Sequence, residues 1–163
     1  MPLLAAMFVA EPRCWAVGLA IMTVGEGIRL AAVGHIGLAS RTRGDGVGPL
    51  VESGPYARMR NPLYAGNVLL FAGLGIVLWP TALFAVPLIA LHYSWIVRWE
   101  KRNLAERLGR PYRDYVARVP RWWPTGAPHP GRWDVRRALR SERSTLFALA
   151  AVGAALGARS MLF

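Results

Sequence analysis

The sequence has few of the residues that bind metals or form covalent cross-links. It contains one cysteine, Cys14, which excludes an internal disulfide and a cysteine metal cluster. Its three histidines, His35, His92 and His129, lack the spacing of metal ligands, so we expect no metal site. The first residues have no basic lead-in and no small-residue cleavage pattern, and we therefore do not interpret them as a removed signal peptide.

Acidic residues are also scarce, with 9 Asp and Glu against 20 Lys and Arg, which gives a net charge of +11. Such a charge can indicate nucleic-acid binding, but here the basic residues alternate with long uncharged runs instead of forming one face. We therefore expect no nucleic-acid partner. With 163 residues the chain has the length of one domain, and 54% of it is hydrophobic, more than a small soluble core needs. The composition favours a single integral-membrane domain, residues 1–163.

Four stretches are candidate transmembrane helices, because a spanning helix needs about 20 mostly apolar residues. Only Pro80 separates the second from the third, which predicts a tight helical hairpin. We therefore expect an all-α polytopic membrane protein with about four transmembrane helices. The four stretches are residues 15–38, 63–79, 81–99 and 144–163.

The basic residues predict the orientation of these spans. All Lys and Arg residues except Arg13, Arg29 and Arg159 lie between the first and second spans or in the stretch from Arg98, at the end of the third span, to Arg143. By the positive-inside rule both segments are cytoplasmic, which predicts a bacterial inner-membrane protein with its site facing the cytoplasm. The apolar and aromatic spacing in residues 103–124 predicts two short amphipathic helices on that face. The Pro-, Gly- and Arg-rich residues 124–143 predict an irregular connector.

The segment MRNPLYAGN, residues 59–67, is a polar and rigid start to the second span. One interpretation is a helix cap, with Asn61 at the N-cap, Pro62 in the first turn and Arg60 on lipid headgroups. The other is that the N–H groups of the helix terminus, together with Arg60, hold a carboxylate or phosphate. Gly66 and Asn67 would leave room for a ligand, although small residues equally permit helix packing.

Ionisable residues also occur in and beside the other spans. His92 and Glu100 lie on one helical face at the cytoplasmic end of the third span, where the carboxylate could pair with an ammonium or with ribose hydroxyls. The alternatives are a surface acid for Glu100 and a hydrogen-bonded histidine between helices for His92. In the first span Glu26 and Arg29 are three residues apart, so a structural ion pair explains them as well as a substrate site does.

Two motifs together resemble a known family. SGPYARMRNPLYAGNVLLFAGLGI resembles the GPYRxVR(H/N)PxYxG element of the integral-membrane methyltransferases, which include isoprenylcysteine carboxyl methyltransferases and phospholipid N-methyltransferases. Further along, RWEKRNLAERLGRPYRDYVARVPRWWP resembles the EExxLxxxFGxxYxxYxxxVPRWxP element of the same family. The resemblance covers residues 41–124 and leaves residues 144–163 as an additional span.

The resemblance implies S-adenosylmethionine as the methyl donor, bound at the cytoplasmic ends of the helices, and a lipophilic acceptor that arrives from the inner leaflet among membrane lipids. Lys101 replaces the second acid of the family's Glu-Glu pair, so Glu100 would act alone. Asn61 replaces a common histidine and cannot titrate. The residues that the resemblance implies for donor binding are Arg60, Asn61, Pro62, Tyr64, Gly66, Glu100, Leu104, Tyr112 and Tyr115.

The sequence identifies neither a catalytic residue nor the acceptor nor an oligomeric state. A carboxylate or thiolate acceptor needs no base, whereas an amine must lose a proton, which Glu26, His35 or His92 could receive. We expect the acceptor to enter between the first and second spans. Two alternatives to a methyltransferase are a non-catalytic membrane protein that retains the fold and a nicotinamide-dependent membrane reductase.

Overall fold

The computed structural model describes residues 12–36, 49–78, 82–126 and 129–162, and these residues form five α-helices. No strand occurs within them, so the all-α prediction is confirmed. One turn of 3₁₀ helix, Pro55–Ala57, precedes the second helix. The helices are α1 (Pro12–Ile36), α2 (Pro62–Val77), α3 (Ala82–Leu108), α4 (Arg110–Arg118) and α5 (Val135–Leu162).

Helices α1 and α2 pack antiparallel with their backbones in direct contact. A Cβ atom added to Gly18 would lie 2.7 Å from the carbonyl oxygen of Gly73, and one added to Gly25 would lie 2.7 Å from that of Gly66. The contacts run in opposite directions along the two helices, which shows that the helices are antiparallel. Glycines permit this approach because they have no side chain to hold the backbones apart. We call these four glycines the glycine seam.

The remaining long helices extend this pair into an up-and-down bundle. Helix α5 packs on α1, since Glu142 contacts Arg29 near one end and Leu156 packs with Trp15 near the other. Helix α3 packs on α2, since Tyr93 and Glu100 of α3 contact Asn67 and Tyr64 of α2. The C-termini of α1 and α3 therefore lie beside the N-termini of α2 and α5. We call this the basic end of the bundle, made of residues 30–36, 58–66, 96–121 and 131–143.

Helix α4 lies at the basic end and covers part of it with aromatic side chains. Gly109, with a φ of 58°, makes the turn between α3 and α4, a conformation that glycine adopts readily. Helix α3 continues to Leu108 without interruption, so the prediction of a separate short helix before Gly109 is wrong. The reason is that residues 100–108 are mostly good helix formers and contain no breaker. The second predicted amphipathic helix is confirmed as α4.

Helix α5 begins at Val135, which corrects the prediction of an irregular connector as far as residue 143. The carboxylate of Asp134 accepts a hydrogen bond from the backbone N–H of Arg137 at 2.9 Å, and the carbonyl of Asp134 accepts the first helical bond, from Ala138. Asp134 is thus an N-cap, and the Arg, Ala and Leu residues after it favour a helix. Two additional turns therefore precede the apolar run.

The helix lengths support only part of the membrane prediction. Cys14–Ile36 of α1, with 23 residues, is the one described segment that is both long and apolar enough to cross a membrane. Helix α2 is apolar but has 16 residues, fewer than the roughly 20 that a span needs. Helices α3 and α5 are longer but include charged turns. Four spans therefore stay a prediction, and the predicted hairpin at Pro80 lies outside the described residues.

Candidate functional site

The N-terminus of α2 is confirmed where the sequence predicts it. Pro62 is the first helical residue and its side chain is fully buried. Asn61 occupies the N-cap position, but its side chain makes no capping hydrogen bond. The amides of the first turn are therefore not covered by Asn61 and point out of the helix toward the basic end.

The segment before α2 is held by α4 and by the chain that follows α4. The hydroxyl of Tyr115 donates a hydrogen bond to the carbonyl of Tyr56 at 2.8 Å. The backbone N–H of Arg60 donates to the carbonyl of Pro120 at 2.9 Å. Together these contacts fix the backbone from which the Arg60 side chain extends.

Arg60 and Glu100 both lie close to Tyr112. Burial raises the pKa of Tyr112, the positive charge of Arg60 opposes that increase, and the negative charge of Glu100 adds to it. The Nε of Arg60 is buried and makes no hydrogen bond to any described residue. A buried donor without a partner costs on the order of 1 to 3 kcal/mol, so this group is suited to bind an acceptor supplied by a ligand.

Glu100 is a half-buried carboxylate that is held in place. It accepts a hydrogen bond from the hydroxyl of Tyr64, whose ring centroid lies 5.1 Å from that of Tyr93. Burial raises the pKa of Glu100, and the bond from Tyr64 offsets part of that increase. The interpretation of Glu100 as an ordinary surface acid is therefore wrong, because Tyr64 of α2 covers and binds the carboxylate. The sequence alone could not show that α2 lies over Glu100.

Leu104, Tyr112 and Tyr115 form part of an apolar cluster beside these charges. Tyr112 and Tyr115 are buried, with ring centroids 6.3 Å apart, and Leu104 packs against them. Burial raises the pKa of Tyr115, with the Glu52 carboxylate adding to the increase. The described contacts of Leu104 and Tyr115 are with protein groups, so their part in donor binding stays a prediction.

Gly66 and Asn67 do not form open space for a ligand. A Cβ atom on Gly66 would collide with the side chain of Arg29 and with the carbonyl of Gly25, so the packing interpretation of Gly66 is the correct one. Asn67 accepts a hydrogen bond from Arg29 and donates one from Nδ2 to the hydroxyl of Tyr93 at 2.9 Å. The physical reason is that α1 fills the region that the sequence alone left empty.

The three candidate proton acceptors lie in different environments. Glu26 is buried, with Oε2 placed 3.1 Å from Nε of Arg29, as the structural ion-pair interpretation expects. His35 has Nδ1 at 2.8 Å from the carbonyl of Ala31, and its ring packs against Gly54. His92 is exposed on α3, which does not fit the interpretation of a hydrogen-bonded histidine between helices. The described contacts do not bring these three together.

Glu142 is the main residue of the interior that the sequence did not reveal. It is 1% exposed, and its carboxylate accepts a hydrogen bond from Arg29 and another from Thr145 at 3.3 Å. A lone acid among arginines just before an apolar run was the available signal. That signal was missed because the surrounding residues were expected to be irregular.

The expected acceptor entrance between the first two spans is not present in the described residues. The glycine seam brings α1 and α2 into backbone contact, and Ala32 farther along α1 is completely buried. A lipid chain cannot pass between helices whose backbones touch, so this expectation is wrong.

The fold and the site define a helical-bundle protein with one charged and aromatic site at its basic end. The profile of the phospholipid methyltransferase family matches residues 14–110, which include most of α1 and all of α2 and α3. The match covers more than half of the chain, and the chain belongs to this family. The resemblance drawn from the two motifs is therefore confirmed.

Curated relatives have names that refer to metals. The cobalt-zinc-cadmium resistance protein CzcN of Cupriavidus metallidurans is 36% identical over 120 residues, which are 71% of this chain and 55% of that protein. The nickel-cobalt-cadmium resistance protein NccN of Alcaligenes xylosoxydans xylosoxydans is 32% identical over 111 residues, 66% of this chain and 52% of that protein. The chain thus spans about half the length of these relatives. No solved structure matches it significantly.

Metal-binding side chains do not cluster in the part of the chain that the structure describes. Within those ranges no group of three His, Cys, Asp or Glu residues could hold a metal ion. The names of the relatives are therefore not matched by a metal site among the described residues.

Proposed function

We propose that the chain transfers a methyl group from S-adenosylmethionine to a lipophilic or membrane-associated acceptor, as the isoprenylcysteine carboxyl and phospholipid methyltransferases do. Family membership supports the reaction class. The observation that carries the proposal is the buried Nε of Arg60, which has no hydrogen-bond partner among the described residues, together with the carboxylate of Glu100 near the same Tyr112 ring. Both groups lie beside the N-terminus of α2.

The residues at the basic end fit the charged part of the donor. Its amino-acid carboxylate suits the Nε–H of Arg60 and the first-turn amides of α2, which Asn61 leaves uncapped. Its ammonium or ribose hydroxyls suit the carboxylate of Glu100. When bound, S-adenosylmethionine supplies a methyl group made electrophilic by the attached sulfonium.

The contribution of the protein is to hold and align the reacting groups. Tyr64 orients the Glu100 carboxylate through its hydroxyl, and Tyr115 fixes the segment that carries Arg60. The buried rings of Tyr112 and Tyr115 exclude water from one side of the site. Alignment of this kind can lower a barrier by roughly 7 to 11 kcal/mol, which is enough for a donor that is already activated.

Calorimetry with S-adenosylhomocysteine on the detergent-solubilised chain tests the proposal. The parent protein should bind, and Arg60→Ala and Glu100→Ala should each abolish detectable binding while leaving helical content near the parent value. Matched controls are Arg58→Ala and Glu106→Ala, which remove exposed charges near the same end and should bind as the parent does. If the parent does not bind, or if the two site variants bind like their controls, the assignment is wrong.

The proposed location is the bacterial inner membrane, with the basic end in the cytoplasm and the acceptor arriving from the inner leaflet. The basic residues around this end support the orientation through the positive-inside rule. The exposed rings of Trp95 and Trp99 on α3 support a position of this end near the lipid headgroups. In a chain whose exposed Cys14 is replaced by serine, a cysteine placed at the exposed Asp114 should react with a membrane-impermeant reagent only after the cells are opened. Reaction in intact cells would reverse the orientation.

A second candidate function is a role in metal resistance, and the names of the two relatives favour it. We propose that such a role would depend on methyl transfer. A strain that lacks the gene should become more sensitive to cobalt, zinc or cadmium, and the parent chain should restore growth. Restoration by Glu100→Ala to the same level would show that resistance is independent of the donor site.

A further inference from the structure

Helix α5 lies beyond the part of the chain that matches the family, yet it places a fully buried acid inside the bundle. Glu142 is bonded to Arg29 of α1, and Thr145, one turn later, donates to the same carboxylate oxygen. A buried carboxylate is costly unless charged or polar partners surround it. This one has such partners, and its main partner, Arg29, makes further contacts toward α2.

From Arg29 a series of contacts leads to the donor site. Arg29 donates to Oδ1 of Asn67, and Nδ2 of Asn67 donates to the hydroxyl of Tyr93 at 2.9 Å. The ring of Tyr93 packs on the ring of Tyr64, and the hydroxyl of Tyr64 holds Glu100. We call the connected residues the Arg29 chain, which consists of Glu142, Arg29, Asn67, Tyr93 and Tyr64.

The orientation of the Asn67 amide depends on Arg29. A guanidinium only donates hydrogen bonds, so it selects the orientation in which the amide oxygen faces Arg29 and the NH₂ group faces Tyr93. If Glu142 did not hold one side of the guanidinium, Glu26 would be the acidic side chain left beside Arg29 among the described residues, 3.1 Å from its Nε. Loss of Glu142 therefore allows Arg29 to move toward Glu26 and releases the amide of Asn67.

We propose that Glu142 and Arg29 are positioning residues for the donor site. They orient Asn67, and through Tyr93 and Tyr64 they hold the Glu100 carboxylate in the conformation that faces the donor. The inference rests on the proposed donor site and extends it to α5, which the family match does not include. Alignment is sensitive to small displacements, so a loosened Glu100 should bind the donor less tightly.

Two substitutions interrupt the Arg29 chain at points away from Glu100. Glu142→Leu removes the acid and keeps a side chain of similar volume, and Tyr93→Phe removes only the hydroxyl that Asn67 contacts. Each should weaken S-adenosylhomocysteine binding by about three- to tenfold, where tenfold corresponds to about 1.4 kcal/mol. Glu142→Gln, whose amide oxygen can still accept from Arg29, should keep most of the affinity.

Matched controls separate positioning from general destabilisation. Glu106→Leu replaces an exposed acid on α3, and Ser94→Ala removes a hydroxyl that bonds only the carbonyl of Ala90 in its own helix among the described contacts. Both controls should bind as the parent does. The double variant of Glu142→Leu and Tyr93→Phe should bind about as weakly as the weaker single variant, because both changes interrupt the same series of contacts.

The binding measurements distinguish a failure of the proposed donor site from a failure of the positioning role alone. If the parent chain does not bind S-adenosylhomocysteine, the proposed function fails and this inference fails with it. If the parent binds and either folded variant keeps the parent affinity, only the positioning role is wrong. Fully additive losses of affinity in the double variant would show that Glu142 and Tyr93 act independently and not through one series of contacts. A lowered melting temperature with unchanged affinity would show that they act only on stability, and either result would overturn the positioning role.

Discussion

The middle and the basic end of the bundle are held together in different ways. In the middle, the glycine seam places the backbones of α1 and α2 in contact, and no side chain separates them. At the basic end, the helices meet through large side chains, namely Tyr64, Tyr112, Tyr115 and Glu100, and through hydrogen bonds to the segment before α2. Substitutions in the two regions should therefore affect the stability of the protein in different ways.

The comparison shows where the molecule has room for chemistry. A seam of touching backbones has one arrangement, because any added atom forces the helices apart. Side chains that meet through rings and hydroxyls can move to admit a ligand and still make other contacts. The glycine seam thus provides the rigid support, and the polar groups that fit a donor lie at the end where the contacts are adjustable.

The largest expected effect comes from breaking the seam. Gly25→Leu should destabilise the protein by about 1 to 3 kcal/mol or prevent folding, because the new side chain would overlap the backbone of α2. Gly27→Leu, two residues away, is the control, since Gly27 has open space around it. Thermal unfolding in detergent should separate the two, and equal melting temperatures would contradict the seam.

Next in size is the loss of one hydrogen bond at the basic end. Tyr115→Phe leaves the carbonyl of Tyr56 without the 2.8 Å bond from the hydroxyl. The cost should be about 1 to 3 kcal/mol, as for an unsatisfied buried acceptor. Tyr112→Phe, in the same aromatic cluster, should cost less, since no described protein group accepts from its hydroxyl. If both variants were as stable as the parent, ring packing alone would hold this end.

A smaller effect should follow from the protonation of Glu100. Its pKa is raised above 4.5, and the proposed contact with the donor needs the ionised form. Affinity for S-adenosylhomocysteine should therefore fall as the pH is lowered from neutral through the raised pKa, because Glu100 takes up a proton. In Glu100→Gln the residual binding, measured by calorimetry at high ligand concentration, should lose this dependence. A dependence on pH that persists in the variant would assign it to another group.

The same raised pKa determines the sign of the effect on stability. The fold favours the neutral carboxyl, so the stabilisation is complete below pH 4.5 and is lost as the pH rises through the higher pKa of the folded state. Relative to Glu100→Gln, the parent should therefore lose stability between acid and neutral pH. A gain over that range would contradict the burial of Glu100.

The smallest effect should come from an exposed ion pair near the basic end. Arg118 Nη2 lies 2.6 Å from Oε2 of Glu52, and more than a third of each side chain is exposed. Arg118→Gln should change stability by at most about 1 kcal/mol, because water and salt screen such pairs. Melting temperatures at low and high salt measure this. A loss larger than that of Tyr115→Phe would mean that charges, not aromatic contacts, hold this end together.

Several features of the fold could be predicted because they depend on residues that are close together in the sequence. The apolar run of α1, the start of α2 at Pro62 and the turn at Gly109 all follow from local composition and backbone preference. The start of α5 was misplaced because the Arg-rich residues before the apolar run were judged by composition alone. Asp134, which caps the helix through its contact with the N–H of Arg137, was the local sequence signal for the correct start of α5.

The sequence by itself determined that the chain is helical, that its basic residues gather in two segments, and that Arg60 and Glu100 belong to motifs of a methyltransferase family. Only the tertiary structure decided that Gly66 packs on α1, that Tyr64 holds Glu100, and that Glu142 meets Arg29 from 113 residues away. The reason is that periodicity and propensity act within one helix, whereas the use of a small or charged side chain depends on the helix placed opposite it.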